Sequence, residues 1–228
     1  MSLVFVAAEA IEFAGILRHA QSIKKLEWSL QFARQAEMNG RPIVLVADGP
    51  GPKLAARAAN EARERLEVVE AFISTGFCGA LDREAHRGDV FLATAVNGEI
   101  VDRPSSPGPS RLGHLVSQDR VACTVSEKSS LRDGGSSAVE MEAAGVMRVA
   151  RESGIPFYCL RVVTDTASED FPLDFNAMRD RDGRFSRARI VAAACRHPVR
   201  IFPRLMELQR TSKEASIALG DFIANCRF

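Results

Sequence analysis

Short apolar runs of strand length alternate along this chain with apolar residues at helical spacing, a pattern that predicts an α/β fold. Residues 3–8 read as a strand. The helix after them turns Phe13, Ile16 and Leu17 inward, and the loop between carries Glu9 and Glu12. Trp28, Leu30, Phe32, Ala36 and Met38 fall on alternate positions before Asn39-Gly40, a strong hairpin signal, and residues 41–47 return as a buried strand. A tight hairpin joins antiparallel neighbours, so the sheet is expected to be mixed. An Ala-rich helix is predicted over 53–66 with Pro52 at its first position, then a buried strand over 68–75 running into Gly76-Phe77-Cys78-Gly79.

In the second half, the Pro/Ser/Gly-rich residues 103–113 read as a mobile loop in the role of a lid, and 120–125 as a strand. Residues 139–141 close a short strand. From Glu142, Ala143, Val146, Met147 and Ala150 recur at helical spacing until Gly154 and Pro156 stop the run. Residues 157–163, FYCLRVV, suit a buried parallel strand, which leaves Thr164 and Asp165 at its carboxyl end. Beyond Asp170 comes a polar stretch, 174–185, and then three predicted helices over 188–195, 199–208 and 215–226.

Composition narrows the setting. With 228 residues, 46% hydrophobic and 26% charged, the chain is expected to form one domain, residues 1–228, with a helical tail from about 186. A formal charge of +1 gives no overall reason to bind nucleic acid. The five cysteines are odd in number and widely spaced, so they read as buried thiols in a reducing compartment. The chain begins on a strand-like run without a basic leader and has no apolar stretch near the ~20 residues that span a bilayer, so a cytoplasmic location is expected. His19, His86, His114 and His197 lack ligand spacing, and no metal is expected.

The chemistry centres on two carboxylates. Glu142 opens a helix and Asp165 ends a strand, and open α/β sheets bind ligands beyond the carboxyl ends of their strands. Taken singly, each also suits a simple capping role. The GPGPKLA turn lacks the third glycine of a dinucleotide fingerprint, and Pro50 and Pro52 remove backbone donors, so it reads as a tight turn. A tail helix carrying Arg200, Arg204 and Arg210 beside Ile201, Phe202, Leu205 and Met206 is expected to pack on its own domain, with peripheral membrane contact the less favoured reading.

VEMEAAG followed by RVVTDTASED resembles the signature of the purine nucleoside phosphorylase and 5′-methylthioadenosine/S-adenosylhomocysteine nucleosidase superfamily. VFVAAEAIEFAGIL resembles its opening strand and acidic loop, and FISTGFCGALDREAHRGD its Gly-rich turn. The tail, including DGRFSRARIVAAACRHPVRIFPRLMELQR, is similar to that of the hopanoid-biosynthesis branch, whose substrate is adenosylhopane. The resemblance implies a three-layer α/β/α phosphorylase-like fold around a central mixed twisted sheet. It also implies homo-oligomers, since relatives form dimers, trimers or hexamers.

It further implies roles. Asp165 is the general acid toward N7 of the purine, Met141 and Glu142 hold the ribose, and Glu12 activates water. Gly76, Phe77, Cys78, Gly79, Val121 and Thr164 form the base and ligand pocket. Phosphorylases use a basic residue and a Ser or Thr around the Gly-rich turn, whereas Ser74 and Phe77 stand at the corresponding positions here. Hydrolysis of a 5′-substituted adenosine, with release of adenine, is thus expected ahead of phosphorolysis to ribose 1-phosphate. Phosphate is a possible co-substrate and no other cofactor is implied. A non-catalytic nucleoside-binding protein is the alternative of a different class.

Overall fold

Alternation of side chains along the first strands builds both faces of the sheet. In the computed structural model, β1 (Ser2–Ala7) and β4 (Arg41–Ala47) run parallel. Val4, Val6, Val44 and Val46 pack to one side, and Leu3, Phe5, Ile43 and Leu45 to the other. Each such side chain withdrawn from water contributes about 1.5–3 kcal/mol before entropy is counted. The hairpin between β3 (Phe32–Met38) and β4 turns at Asn39 and Gly40, both at positive φ, as the sequence predicts; β2 (Gln21–Lys25) is the exposed outer edge. The structure describes residues 1–171, 173–196 and 198–228, with backbone alone for 187, 194, 196 and 198–202. His197, and the side chains of Arg200, Ile201 and Phe202 in the proposed amphipathic helix, lie outside the described residues.

The long strand β5 (Val69–Ala80) lies beside β1 on one edge and β10 (Phe157–Asp165) on the other, parallel to both. Its last residues also pair antiparallel with β9 (Ala138–Glu140). Through β6 (Val90–Val96) and β8 (Arg111–Ser117), the order β5-β10-β6-β8-β9 returns to β5, so this half of the mixed sheet closes into a ring; the two-residue β7 (Glu99–Ile100) pairs with β6. The carboxyl ends of β5, β9 and β10 are thereby brought side by side.

Helices α2 (Pro52–Arg65) and α4 (Ala143–Glu152) cover one face, and α1 (Ala14–His19) and the tail helix α6 (Pro198–Ile223) the other, giving the expected three layers. Small residues set the spacing. A Cβ on Gly145 would meet the Pro52 carbonyl oxygen at 2.0 Å, and one on Gly15 the Ser216 carbonyl oxygen at 2.1 Å.

Four expectations need correction. Residues 120–125 are not a strand: Thr124 accepts from the Glu127 N–H at 3.2 Å while the Glu127 carboxylate accepts from Thr124 N–H, a capping box that starts α3 (Val125–Asp133). The 103–113 segment is not all loop; Ser105 exchanges backbone hydrogen bonds with Arg227, and residue 111 already begins β8. The tail holds two helices, α5 (Arg187–Arg196) and α6, because 211–214 continue the helix, with Arg210 paired to Glu214 at 3.1 Å. Of the cysteines, Cys78 and Cys159 are buried, Cys123 and Cys226 half-buried, and Cys195 exposed. Among the described residues no helix is long and apolar enough to cross a membrane.

Candidate active site

Backbone donors place Glu12 and Glu142, and side chains place Asp165 at a strand end. Glu12 sits in a short 3-10 turn, Ala10–Phe13, and folds back so that its carboxylate accepts from Ala8 N–H at 2.8 Å, Glu9 N–H at 3.1 Å and Phe77 N–H at 3.4 Å. Gly76, at φ +128°, makes room, since a Cβ there would lie 2.8 Å from the Glu12 carboxyl carbon. From the tail, the Ser216 hydroxyl donates to the Glu12 carbonyl at 2.9 Å.

The VEMEA segment divides its labour. Glu140 ends β9 and its carboxylate accepts from the N–H groups of Glu142 and Ala143, each at 2.9 Å, so it caps α4 at the positive end of that helix. Glu140 also accepts from Arg161, a fully buried β10 residue whose guanidinium donates to Ser74 Oγ at 2.7 Å. With its partner already capping, Glu142 turns the other way and accepts from Gly51 N–H at 3.0 Å. The glycine-proline turn therefore serves the site through one N–H.

Asp165 ends β10 opposite Gly79 of β5. Its Oδ1 lies 3.1 Å from Thr164 Oγ1 and its Oδ2 lies 2.6 Å from Nζ of the buried Lys128. Gly79 allows this approach, because a Cβ would stand 2.8 Å from Oδ2.

Burial governs the proton affinities. Desolvation pushes Glu12 up to about 7 against the pull of its backbone donors and of Arg161. It pushes Glu142 up to about 8, with Glu140 and Glu12 adding to the shift and Arg161 opposing it. Asp165 is also raised by burial, although Lys128 draws it back. Three carboxyl groups in one cavity thus have raised proton affinities, Glu12 and Glu142 well above the ordinary carboxylate range.

A cavity of about 180 Å³ lies between them, bordered by Glu12, Met141, Glu142, Thr164 and Asp165 and by apolar walls from Phe77, Val121, Phe171 and Phe185. A model of the phosphorylase superfamily matches residues 4–119 and 114–195. The chain belongs to the phosphorylase superfamily. It is 26% identical over 172 residues to the 5′-methylthioadenosine/S-adenosylhomocysteine nucleosidase of Shewanella oneidensis, a match covering 60% of this chain and 72% of that protein. The fold matches the Neisseria meningitidis 5′-methylthioadenosine/S-adenosylhomocysteine nucleosidase in complex with methylthio-immucillin-A, at TM-score 0.69 and 19% identity over 98% of each chain. Futalosine hydrolase of Helicobacter pylori matches at TM-score 0.69 and 16% identity, covering 98% of this chain and 95% of that one.

As a phosphorylase-superfamily member the chain is an enzyme, and its cavity gathers the residues singled out from the sequence with one exception. Cys78, Gly79 and the residues named above border it, whereas Gly76 acts beneath it by admitting Glu12. Sequence reasoning missed Arg161, Lys128 and Glu140. An arginine inside the apolar run FYCLRVV was a usable signal, since a charge in a buried strand needs a partner. Lys128 lies in a polar segment, SEKSS, that looks solvated. Phe171 and Phe185 were missed as well. They stand edge-on to Phe175, with ring centroids 5.3 and 5.9 Å from it, Phe185 ending the stretch read as polar and Phe171 preceding it.

Proposed function

We propose that this enzyme hydrolyses the N-glycosidic bond of a 5′-substituted adenosine and releases adenine. The observation that carries the reading is the convergence of Glu12, Glu142 and Asp165 on one cavity, each in a different hydrogen-bonding environment. Bond cleavage leaves positive charge on the ribosyl ring and electrons on the purine, so the base must be protonated and the sugar cation stabilised. Asp165 is assigned the proton for N7, and burial shifts its proton affinity upward, the direction a general acid needs. Glu142, beside Met141, takes the ribose hydroxyls, and in its ionised form sets negative charge near the developing cation. Glu12, with an affinity near 7, is poised to accept a proton from water at neutral pH.

Hydrolysis is favoured over phosphorolysis by what surrounds the Gly-rich turn. Ser74 accepts from Arg161 Nη2, which also donates to Glu140, Arg161 does not border the cavity, and Phe77 offers an apolar ring where a phosphate would need donors. Phe77, Val121, Phe171 and Phe185 suit an apolar 5′-group, such as that of a thioadenosine or of adenosylhopane.

Product analysis tests the proposal. With 5′-methylthioadenosine, adenine and the free 5-methylthioribose should appear at a rate independent of added phosphate. Turnover that requires phosphate and yields the sugar 1-phosphate would overturn the hydrolytic assignment.

A further inference from the structure

Asp165 meets a full positive charge from a residue to which the mechanism above gives no role. Lys128 extends from α3 with its side chain 0% exposed and places Nζ 2.6 Å from Asp165 Oδ2. Its ammonium also donates to the carbonyls of Thr166 at 2.8 Å and Glu169 at 2.9 Å, and the Phe171 ring centre lies 5.4 Å away. The ammonium thus donates to two carbonyls and lies in ion-pair contact with Oδ2, enclosed by protein oxygens, and it does not border the site cavity.

The consequence falls on the two oxygens of the carboxyl group. Oδ2 faces an ammonium and can only accept, so a proton on Asp165 sits on Oδ1, the oxygen beside Thr164 Oγ1. We infer that Lys128 is a positioning residue for the proposed reaction, confining the transferable proton to Oδ1 and stabilising the Asp165 carboxylate left once that proton has passed to the base. This rests on Asp165 being the acid.

Other charged and titratable groups surround Asp165 without pairing to it. Glu169 is held by Arg87 at 2.9 Å, and Cys78 lies alongside on β5 with its thiol affinity raised by burial. Asp170 and, from α6, Arg204 and Glu207 border a cavity of about 650 Å³ on another side of Asp165. Glu12, Glu140, Glu142 and Arg120 border the site cavity, and Arg120 is paired with Glu127. Among the described residues, Lys128 alone forms an ion pair with Asp165.

The test compares wild type, Lys128→Met, Lys128→Gln and Lys128→Arg on two substrates over a pH range. One is 5′-methylthioadenosine, whose base needs a proton to leave; the other is p-nitrophenyl riboside, whose leaving group departs as an anion. For Lys128→Met, kcat on the nucleoside should fall at least about tenfold with KM little changed. The alkaline limb of its pH profile should rise by about one unit or more, because the carboxyl loses a cation that favoured its ionised form. Hydrolysis of p-nitrophenyl riboside should stay near the wild-type rate, and Lys128→Arg should keep the limb in place. An unmoved limb, or equal losses on both substrates, would overturn the assignment and leave Lys128 a structural role only. Should Lys128→Met not fold, Lys128→Gln against Lys128→Arg decides by the same limb. Wild-type base release tests the underlying reading separately, so the two failures are distinguishable.

Discussion

The Glu12 carboxylate occupies the space that any side chain on Gly76 would need, with its carboxyl carbon 2.8 Å from where a Cβ would stand. Gly76 also holds φ +128°, which residues bearing a Cβ rarely adopt. Gly76→Ala is therefore expected to cost about 1–3 kcal/mol of stability and to depress turnover more than Glu12-independent nucleoside binding. Urea denaturation and a KM-against-kcat comparison check both effects. Wild-type stability and turnover together would show that Glu12 is not held by this contact.

Arg161 and Glu140 form an ion pair with essentially no solvent exposure, at 0% and 1% of their side chains. Removing one partner leaves a buried charge unmatched. Arg161→Met should destabilise the fold by about 3–5 kcal/mol, and the double variant with Glu140→Gln should recover part of that loss. Denaturant midpoints measure it, and a loss below about 1 kcal/mol would contradict the pairing.

Glu12 and Glu142 make stability fall as pH rises. Both affinities are raised in the fold, to about 7 and about 8, from an ordinary 4.5. Below pH 4.5 both states of the chain hold these protons. Between there and pH 8 the unfolded chain releases them while the fold retains them, so the stability present at the acid end is progressively lost. Asp89 and Glu169, whose affinities are lowered, act the opposite way only below the ordinary carboxylate range. The ligand-free protein is thus expected to melt higher at pH 5.5 than at pH 8, and Glu142→Gln should flatten that slope. A melting temperature that rises across this window would refute the protonated pair.

Gly220 and Gly15 bring α6 and α1 into backbone contact, and a Cβ on Gly220 would lie 2.1 Å from the Gly15 carbonyl carbon. Because Ser216 of the same helix holds the Glu12 carbonyl, the tail supports the site from behind. Gly220→Ala should displace α6, speeding proteolysis of the tail and lowering kcat. Unchanged protease resistance with unchanged activity would show the contact to be dispensable.

Local signals made the framework readable. Asn39-Gly40 announced its hairpin, Pro52 its helix start, and FYCLRVV its buried strand, each through an intrinsic backbone or burial preference. The carboxylates Glu12, Glu142 and Asp165 stood at the loops and strand ends where such a sheet opens to ligands. What stayed hidden depended on contacts distant in sequence. Lys128 looks like a solvated helix residue until β10 supplies Asp165 and the following loop supplies two carbonyls. The segment over 120–125 was misread because its apolar residues outweighed the Thr124–Glu127 capping box. The long α6 was divided in two because its polar residues 211–214 look like a break, although paired charges and packing on α1 carry the helix through.

The most direct measurement is adenine release from 5′-methylthioadenosine by wild type and by Asp165→Asn, a variant that keeps the shape of the side chain and removes its acidic proton. Wild type is expected to liberate adenine, and Asp165→Asn, folded and still able to bind the nucleoside, to do so about 10²–10⁴-fold more slowly. Near-equal rates for the two proteins would contradict the assignment of Asp165 as the proton donor.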